Sequence, residues 1–396
     1  MTHLRTGADE VAAVLRDAGY EAFFAGGCVR DTILGVEPKD YDIVTNATPK
    51  QVSKLFRRTV QVGAAFGVVK VLWPRDREYE VATYREDGDY SDGRRPDAVS
   101  YSQSKIEDVK RRDFTINGLL MDPRTDEILD YVGGREDLDR RVVRAVGDPA
   151  QRFAEDRLRM LRAVRFAVRF GLEIEDATLA AIRANAPHIS TVSAERINQE
   201  LTGIFRSVRP GDGLRMLAST TLLPHVLPFV RDASAAAFDR FAAAREPLDE
   251  DVRDVVAWAL VSVDSAAIED DLRALKLSRD QIRGAMTLHA QAARLRDAAS
   301  PDSADVVRIA ADEDVARLRV FLVSANESTA LGRLDAAVAA IAADPLPARP
   351  MLTGADLKAL GMAPGPHFKD LLRAVDDAVL ERRIVDREGA LAMVKT

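Results

Sequence analysis

Residues 20–45 read YEAFFAGGCVRDTILGVEPKDYDIVT, and this stretch decides the fold class. An apolar run over residues 20–25 predicts a strand that ends at a pair of glycines, and residues 30–34 predict a helix after it. Apolar and acidic side chains alternate over residues 40–45, which predicts a second, half-buried strand. The chain therefore begins with a strand, a glycine turn, a short helix and an acidic strand.

The turn contains Gly26 and Gly27, and Arg30 follows it. Glycines let backbone N–H groups approach a phosphate closely, and the start of a helix adds positive potential. Arg30 adds a fork of donors that matches phosphate oxygens. A pair of glycines alone is usually only a turn, so the phosphate-binding interpretation depends on the motif that follows.

That motif is Asp40 and Asp42, on the second predicted strand. Residues i and i+2 of a strand point to the same face, so the two carboxylates are expected side by side. Such a pair repels unless a cation lies between them, and Mg²⁺ prefers carboxylate oxygens and substrate phosphates. Asp-x-Asp is common on exposed strands, but after the glycine turn it predicts a metal site for phosphate chemistry.

The pattern of apolar residues changes from strand-like to helical near residue 148. Before it stand a further helix, two strand-like runs and a polar loop (residues 49–57, 66–73, 80–84 and 85–98). From Pro149 onward the chain is rich in Ala, Leu and Arg at helical spacing, and strand-like runs nearly vanish. The pattern predicts an α+β fold with a head at residues 1–148, a helical neck at 149–207 and a helical body and tail at 208–396.

Two further groups of residues carry potential chemistry. Asp113 and Asn117 are four apart, so a helix would place them on one face, within reach of a ribose 2′-hydroxyl; the alternative is a surface ion pair. Residues 155–169 are predicted to form one amphipathic helix. Asp156 offers acceptors and Arg159, one turn away, offers donors, so together they can match the edge of a base; a solvated arginine face is the alternative.

The chain has 396 residues and a formal charge of -7, so a phosphate-binding surface has to be local. Residues 152–169 supply one, with six arginines against two acids. Cys28 is the single cysteine, which excludes an internal disulfide and a cysteine zinc site. No apolar run is long enough to span a membrane and residues 1–9 lack signal-peptide character, so we expect a soluble, cytoplasmic protein.

Taken in order, these motifs resemble the class II tRNA nucleotidyltransferase and bacterial poly(A) polymerase family, whose head is of the polymerase-β type. The glycine turn with Arg30 and Asp31, followed by Asp40-x-Asp42, resembles the family's first signature. Four later blocks resemble its ribose-recognition block, its hinge, its nucleotide-selecting helix and the helix start that supports it: RRDFTING at 111–118, DYVGG at 130–134, EDRLR at 155–159 and SAER at 193–196.

The resemblance implies a role for each site residue. Asp40 and Asp42 would hold Mg²⁺, with Glu80 as a third catalytic carboxylate. Asp113 and Asn117 would check the ribose, and Asp156 and Arg159 would select the base. The triphosphate would be bound by the remaining members of the set: Gly26, Gly27, Arg30, Arg112, Arg162 and Arg165.

The resemblance also implies the reaction. The 3′-hydroxyl of a tRNA would attack the α-phosphate of CTP or ATP, so that CCA is added without a template and pyrophosphate leaves. The helical body and tail would hold the tRNA. The loop at residues 85–98 favours an activity that adds the terminal adenosine. An A-adding enzyme with a separate CC-adding partner, a poly(A) polymerase and a catalytically silent RNA-binding relative remain alternatives, and the oligomeric state stays open.

Overall fold

The computed structural model describes residues 3–61, 67–74, 76–87, 99–230, 232–243, 248–263 and 265–395. Most of the predicted polar loop, residues 88–98, lies outside them. The chain divides into two compact units, one of residues 1–208 and 212–228 and the other of residues 209–211 and 229–396. The boundaries expected at residues 148 and 207 stay predictions.

The first unit is built on a seven-stranded sheet in which β2 and β5 run parallel and the other neighbours run antiparallel. The spatial order is β3-β4-β5-β2-β1-β8-β9, and these strands are β1 Ala22–Ala25, β2 Ile43–Thr45, β3 Thr59–Gln61, β4 Val68–Trp73, β5 Arg77–Thr83, β8 Leu119–Met121 and β9 Ile128–Asp130. Two small sheets pair β6 Arg85–Asp87 with β7 Val99–Tyr101, and β10 Val142–Val143 with β11 Glu173–Ile174.

The helices of the first unit follow the same chain order. They are α1 His3–Asp17, α2 Gly27–Ile33, α3 Pro49–Leu55, α4 Lys105–Lys110, α5 Gly134–Asp139, α6 Pro149–Glu155, α7 Arg159–Phe170, α8 Asp176–Asn185, α9 Ala194–Phe205 and α11 Leu223–Val226. Helix α10, Pro210–Ser219, has residues in both units. Two 3₁₀ turns cover Thr115–Asn117 and Ala186–Thr191.

The central strand β1 determines where the site lies. Phe24 pairs with Ile43 of β2 on one side and with Met121 of β8 on the other, and all three side chains are buried. Because β1 runs antiparallel to both neighbours, its end meets their beginnings. The glycine turn after β1, the acidic pair before β2 and the 3₁₀ turn before β8 therefore lie together at the edge of the sheet that the end of β1 and the beginnings of β2 and β8 form.

The strand predicted over residues 40–45 is shorter than expected. Pairing with β1 covers only Ile43–Thr45, so Asp40 and Asp42 precede the strand instead of belonging to it. The reason is the turn at Gly26, which has a φ of 71° and leads the chain away from the ladder. The last contact is a hydrogen bond of 3.1 Å from the Ala25 N–H to the Asp42 carbonyl.

The single helix predicted over residues 155–169 is wrong: it is two helices with a break between them. Helix α6 ends at Glu155, and α7 begins at Arg159. Asp156 has extended backbone, and its Oδ1 accepts the Leu158 N–H at 3.1 Å. An aspartate that captures a nearby backbone N–H competes with the helical ladder, which explains the break. Helix α7 then buries an apolar face and packs against α9.

The second unit is helical. Its helices are α12 Asp232–Ala243, α13 Glu250–Val261, α14 Ile268–Ala274, α15 Arg279–Asp297, α16 Ala304–Ala310, α17 Val315–Ala325, α18 Ser328–Ala343, α19 Gly354–Ala359, α20 His367–Leu380 and α21 Arg387–Lys395. Trp258 and Phe321 are among its fully buried side chains, and the last three helices share a small core around Leu357 and Val379. Across the described ranges, no helix has the length and apolar character needed to cross a membrane.

Candidate active site

A cavity of about 590 Å³ opens at the sheet edge where the three turns meet, and α7 forms one of its walls. Every predicted site residue except Glu80 lines it. It is also lined by residues that the prediction did not assign to the site: Asp31, Lys39, Arg111, Leu158, Phe166, Arg169 and Arg196. Nine arginine and lysine side chains line the cavity against five aspartates. A chain of negative overall charge therefore has a local site that favours anions.

Asp40 and Asp42 lie at the acidic end of the cavity, and both are exposed to it. Desolvation by the surrounding protein, then the carboxylates of Asp40 and Glu80, raise the pKa of Asp42 to about 6. Mutual repulsion of this kind is what a bound cation relieves, so the pair fits a divalent ion with oxygen ligands. Within the part of the chain that the structure describes, no group of three or more His, Cys, Asp or Glu side chains is arranged to hold a metal.

Glu80 lies beside this pair but not in the cavity. The parallel register joins Ile43 of β2 to Val81 of β5, so the preceding residues, Asp42 and Glu80, are also neighbours. Neighbouring residues in register point to the same face of a sheet, which explains why Glu80 acts on the pKa of Asp42. Glu80 is exposed, and its role as a third catalytic carboxylate stays a prediction.

The glycine at position 26 is required by its surroundings. Gly26 has a positive φ, and a Cβ atom there would lie 2.8 Å from Nη1 of Arg112. Its N–H donates to the Leu119 carbonyl at 3.0 Å and so belongs to the sheet edge. Gly26 therefore makes room for Arg112, whose Nη1 donates to the Asn117 carbonyl at 3.3 Å.

Asp113 and Asn117 meet, but by a different route from the one predicted. The expected helix is wrong: the segment is a bend followed by the 3₁₀ turn, and the turn brings Nδ2 of Asn117 within 3.0 Å of Asp113 Oδ1. Arg162 donates to the other oxygen from Nε at 2.8 Å and Nη2 at 2.6 Å. Burial opposes the charged form of Asp113, but Arg162 and Asn117 outweigh it and lower its pKa to about 2.

Arg30 is only 4% exposed, although it lines the cavity. Its Nε and Nη2 both donate to Asp31 Oδ1, at 2.9 and 2.6 Å, and Nη1 donates to Asn117 Oδ1 at 2.5 Å. Its guanidinium carbon lies 5.2 Å from the ring centre of Phe166 and 4.3 Å from that of Phe170. The fork predicted for a phosphate is thus directed at protein groups.

Asp156 and Arg159 lie on either side of the helix break and face the same cavity. Oδ2 of Asp156 accepts from Nη2 of Arg196 at 2.7 Å. Nη1 of Arg159 donates to Oε2 of Glu155 at 2.7 Å. Each of the two predicted base-selecting residues is therefore held by a charged neighbour, which limits its freedom to rotate.

The sequence reasoning missed Glu200, a buried carboxylate of α9. Its Oε2 accepts from Nε of Arg165 at 2.6 Å. A Cβ at Gly203 would lie 2.5 Å from Cδ of the same arginine, so Arg165 crosses α9 at this glycine. The spacing of Arg196 and Glu200, one helical turn apart, is the signal that would have found them, because it places both on one face of α9.

Comparison with known proteins shows which family the chain resembles. Residues 22–144 match the family model for a poly A polymerase head domain, and residues 171–234 match the model described as "Probable RNA and SrmB- binding site of polymerase A". The CCA-adding enzyme of Enterococcus faecalis is 35% identical over 394 residues, 96% of this chain and 94% of that protein. That of Lactiplantibacillus plantarum is 36% identical over 393 residues, 97% and 94% of the two chains.

A crystal structure of the Bacillus stearothermophilus CCA-adding enzyme in complex with CTP has a TM-score of 0.81 and 29% identity, and covers 100% of this chain and 98% of that one. The Thermotoga maritima enzyme complexed with tRNA, at 18% identity and a TM-score of 0.72, shares the fold. The fold and the site thus define a nucleotidyltransferase with a polymerase-type head and a helical remainder, which confirms the predicted fold class. Within that class, the chain belongs to the CCA-adding enzyme family. The family of nucleotidyltransferases to which it belongs generally uses a divalent metal ion.

Proposed function

We propose that this protein adds CCA to the 3′ end of tRNA, using CTP and ATP and no nucleic-acid template. The observation that carries the proposal is one cavity in which a pair of carboxylates, a glycine turn and an arginine-rich helix meet. The full-length identity to CCA-adding enzymes supports the choice of substrates. The cytoplasm stays the predicted location.

In this reaction the 3′-hydroxyl of the RNA attacks the α-phosphate, the bond between the α-phosphate and its bridging oxygen breaks, and pyrophosphate leaves. Mg²⁺ bound by Asp40 and Asp42 would neutralise charge on the attacking hydroxyl and on the phosphate. Arg112 and Arg165 would bind the triphosphate and stabilise the negative charge that its pyrophosphate part gains as it leaves, because guanidinium groups match phosphate oxygens. The Gly26–Gly27 turn would let the triphosphate approach the backbone.

Base selection is proposed for Asp156 and Arg159. A carboxylate offers only acceptors and a guanidinium only donors, so the pair can form hydrogen bonds with the polar edge of cytosine or adenine. The contacts of Asp156 with Arg196 and of Arg159 with Glu155 support this role, since a fixed edge discriminates better than a mobile one. The ribose check is proposed for Asp113 and Asn117.

The tRNA is proposed to bind along the helical part of the chain. The match of residues 171–234 to an RNA-binding family model supports this placement. Recognition of a folded RNA rests mostly on its shape and its phosphates.

The test uses three tRNA transcripts, which lack CCA, end in CC or are complete, each incubated with radiolabelled CTP or ATP. Incorporation of both nucleotides into the transcript that lacks CCA supports the proposal. Addition of A alone, and only to the transcript ending in CC, would identify an A-adding enzyme. Long A tails on any RNA would identify a poly(A) polymerase, and RNA binding without incorporation would identify a silent relative.

A matched pair of variants tests the metal assignment. Asp42→Ala removes one carboxylate from the cavity and should abolish incorporation while tRNA binding, measured by gel shift, stays unchanged. Asp139→Ala removes an exposed carboxylate of α5 that does not line the cavity, and it should leave both unchanged. Near-normal turnover of Asp42→Ala would show that the metal assignment is wrong.

A further inference from the structure

The guanidinium group of Arg30 donates to protein oxygens, whereas a phosphate-binding arginine would direct its N–H groups into the cavity. Three of its N–H groups donate to protein oxygens, two to Asp31 and one to Asn117. The residue is almost fully buried, and Phe170, which is not among the cavity-lining residues, lies against its guanidinium group. A side chain held in this way fixes its neighbours and has little freedom to follow a substrate.

Among these neighbours, Asn117 is the one whose orientation depends on Arg30. A side-chain amide has an oxygen that accepts and a nitrogen that donates, and rotation by half a turn exchanges them. Nη1 of Arg30 donates to Oδ1 of Asn117, so the amide nitrogen faces Asp113 and donates to Oδ1 there. The reverse orientation would place two donors together at Arg30 and two acceptors together at Asp113.

Arg30 is itself held from two sides. Asp31 binds Nε and Nη2, which fixes the plane of the guanidinium group. The rings of Phe166 and Phe170 in α7 lie within cation–π distance of the guanidinium group, so they hold it from the other side. The orientation of the Asn117 amide therefore depends on a helix of the neck as well as on the head.

We infer that Arg30 is a positioning residue for the ribose check: it fixes the amide of Asn117, and through it the carboxylate of Asp113, and it does not bind the triphosphate. The inference rests on the proposed function, in which these two side chains recognise the 2′-hydroxyl. Loss of the Arg30 fork then weakens recognition of a ribonucleotide and leaves a deoxyribonucleotide, which lacks that hydroxyl, nearly unaffected.

The experiment compares ATP with dATP in wild type and in Arg30→Lys. Lysine keeps the positive charge beside Asp31 but lacks the planar fork that serves Asp31 and Asn117 together. We expect the ratio of kcat/KM for ATP to that for dATP, on a tRNA ending in CC, to fall about ten-fold, the effect of about one hydrogen bond. Inhibition by inorganic tripolyphosphate, which reports the phosphate subsite alone, should stay within about two-fold of wild type.

Two further variants distinguish a positioning role of Arg30 from phosphate binding. Arg112→Lys, at a proposed phosphate ligand, should weaken tripolyphosphate inhibition and should reduce ATP and dATP use equally. Phe170→Leu removes one ring beneath Arg30 without changing a residue that lines the cavity, and it should lower the ATP to dATP ratio by a smaller factor. If thermal unfolding shows that Arg30→Lys does not fold, the ATP to dATP ratio of Phe170→Leu tests the inference instead.

Equal losses with ATP and dATP in Arg30→Lys, together with weaker tripolyphosphate inhibition, would overturn the inference and assign Arg30 to the phosphates. An unchanged ratio in both Arg30→Lys and Phe170→Leu would overturn it as well. Calorimetric binding of ATP and of dATP without tRNA gives the same ratio independently of catalysis. Failure of the proposed function appears in the wild-type protein, as no nucleotide addition to any tRNA, and so is distinguishable.

Discussion

Arg196 donates from Nη2 to Oδ2 of Asp156 over 2.7 Å, and this contact joins the first turn of α9 to the break between α6 and α7. The other oxygen of Asp156 accepts the Leu158 N–H at 3.1 Å. Both oxygens of a proposed base-selecting carboxylate thus have fixed partners. The break between the helices is what allows this, because an aspartate inside a continuous helix would not be free to cap the next one.

The first prediction concerns Arg196→Ala. The substitution frees Oδ2 of Asp156, so the carboxylate gains rotational freedom and the base-selecting edge is lost for part of the time. We expect kcat/KM for CTP and ATP to fall about ten-fold, equivalent to about 1.4 kcal/mol, and incorporation of UTP and GTP to rise relative to both. Steady-state kinetics with each of the four nucleotides measures this.

Arg140→Ala is the control for Arg196→Ala. Arg140 forms an exposed pair with Glu136 at 2.6 Å in the same unit and does not line the cavity. Exposed pairs contribute about 0 to 1 kcal/mol, so its kinetics should match wild type. If Arg196→Ala also keeps wild-type selectivity among the four nucleotides, the contact with Asp156 does not support base selection.

Local patterns in the sequence predicted the elements that surround the site. The strand before the glycines, the helix after them and strands β4 and β5 all lie within a few residues of their predicted positions. These elements follow from alternation, turn residues and apolar runs, which depend on near neighbours in the chain. The convergence of Gly26, Asp40 and Asp156 on one cavity came from the family resemblance, since no local pattern encodes it.

The pairing of charged side chains could not be predicted in the same way. No local pattern indicated the contact of Arg30 with Asn117, or that of Arg165 with Glu200, 35 residues away. Such pairs depend on how the helices pack against the sheet, and spacing along one helix does not contain this information. The helix break at Asp156 could not be predicted from spacing either, because helical periodicity continues through it unchanged and the cause is the contact of Asp156 with the Leu158 N–H.

The second prediction compares Gly26→Ala with Gly35→Ala. Both glycines have positive φ, 71° and 69°, so either alanine is strained, at a cost of about 1 to 2 kcal/mol. A Cβ at position 35 meets no atom within 4 Å, whereas at position 26 it lies 2.8 Å from Nη1 of Arg112. We expect both to lower the thermal midpoint, and only Gly26→Ala to raise KM for CTP and ATP. Equal KM values in the two variants would contradict the close approach of Arg112.

The third prediction compares two helical glycines with opposite outcomes. A Cβ at Gly203 of α9 would lie 2.5 Å from Cδ of Arg165, which is held by Glu200, so Gly203→Ala should displace Arg165 and reduce activity. At Gly332 of α18 no atom lies within 4 Å, so Gly332→Ala should stabilise the protein by about 0.5 to 1 kcal/mol, because alanine favours a helix. Urea unfolding and single-turnover incorporation measure the two effects. Gain of stability with full activity in Gly203→Ala would show that Arg165 does not depend on this glycine.

The fourth prediction is a pH dependence of stability at Asp113. Arg162 and Asn117, against the effect of burial, lower the pKa of this carboxyl from 3.8 to about 2 in the folded chain. A lowered pKa stabilises the fold above the unfolded-state value, and the stabilisation is lost as the pH falls through the folded-state value. Protonation of Asp113 should lower the free energy of unfolding by about 2 kcal/mol, and this loss should occur between about pH 4 and pH 2.

Asp113→Asn removes the pH-dependent contribution of this carboxyl to the free energy of unfolding. The difference in that free energy between wild type and Asp113→Asn should therefore be constant from pH 7 to about 5 and should shrink below about pH 4. Urea unfolding followed by circular dichroism at a series of pH values measures the difference. Asp139→Asn, at an exposed position of α5, is the control for the loss of one carboxylate in the same unit. If the difference stays constant as the pH falls to 3, Arg162 and Asn117 do not stabilise the charged form of Asp113, and the contacts of 2.6 to 3.0 Å at its oxygens are weaker than their geometry implies.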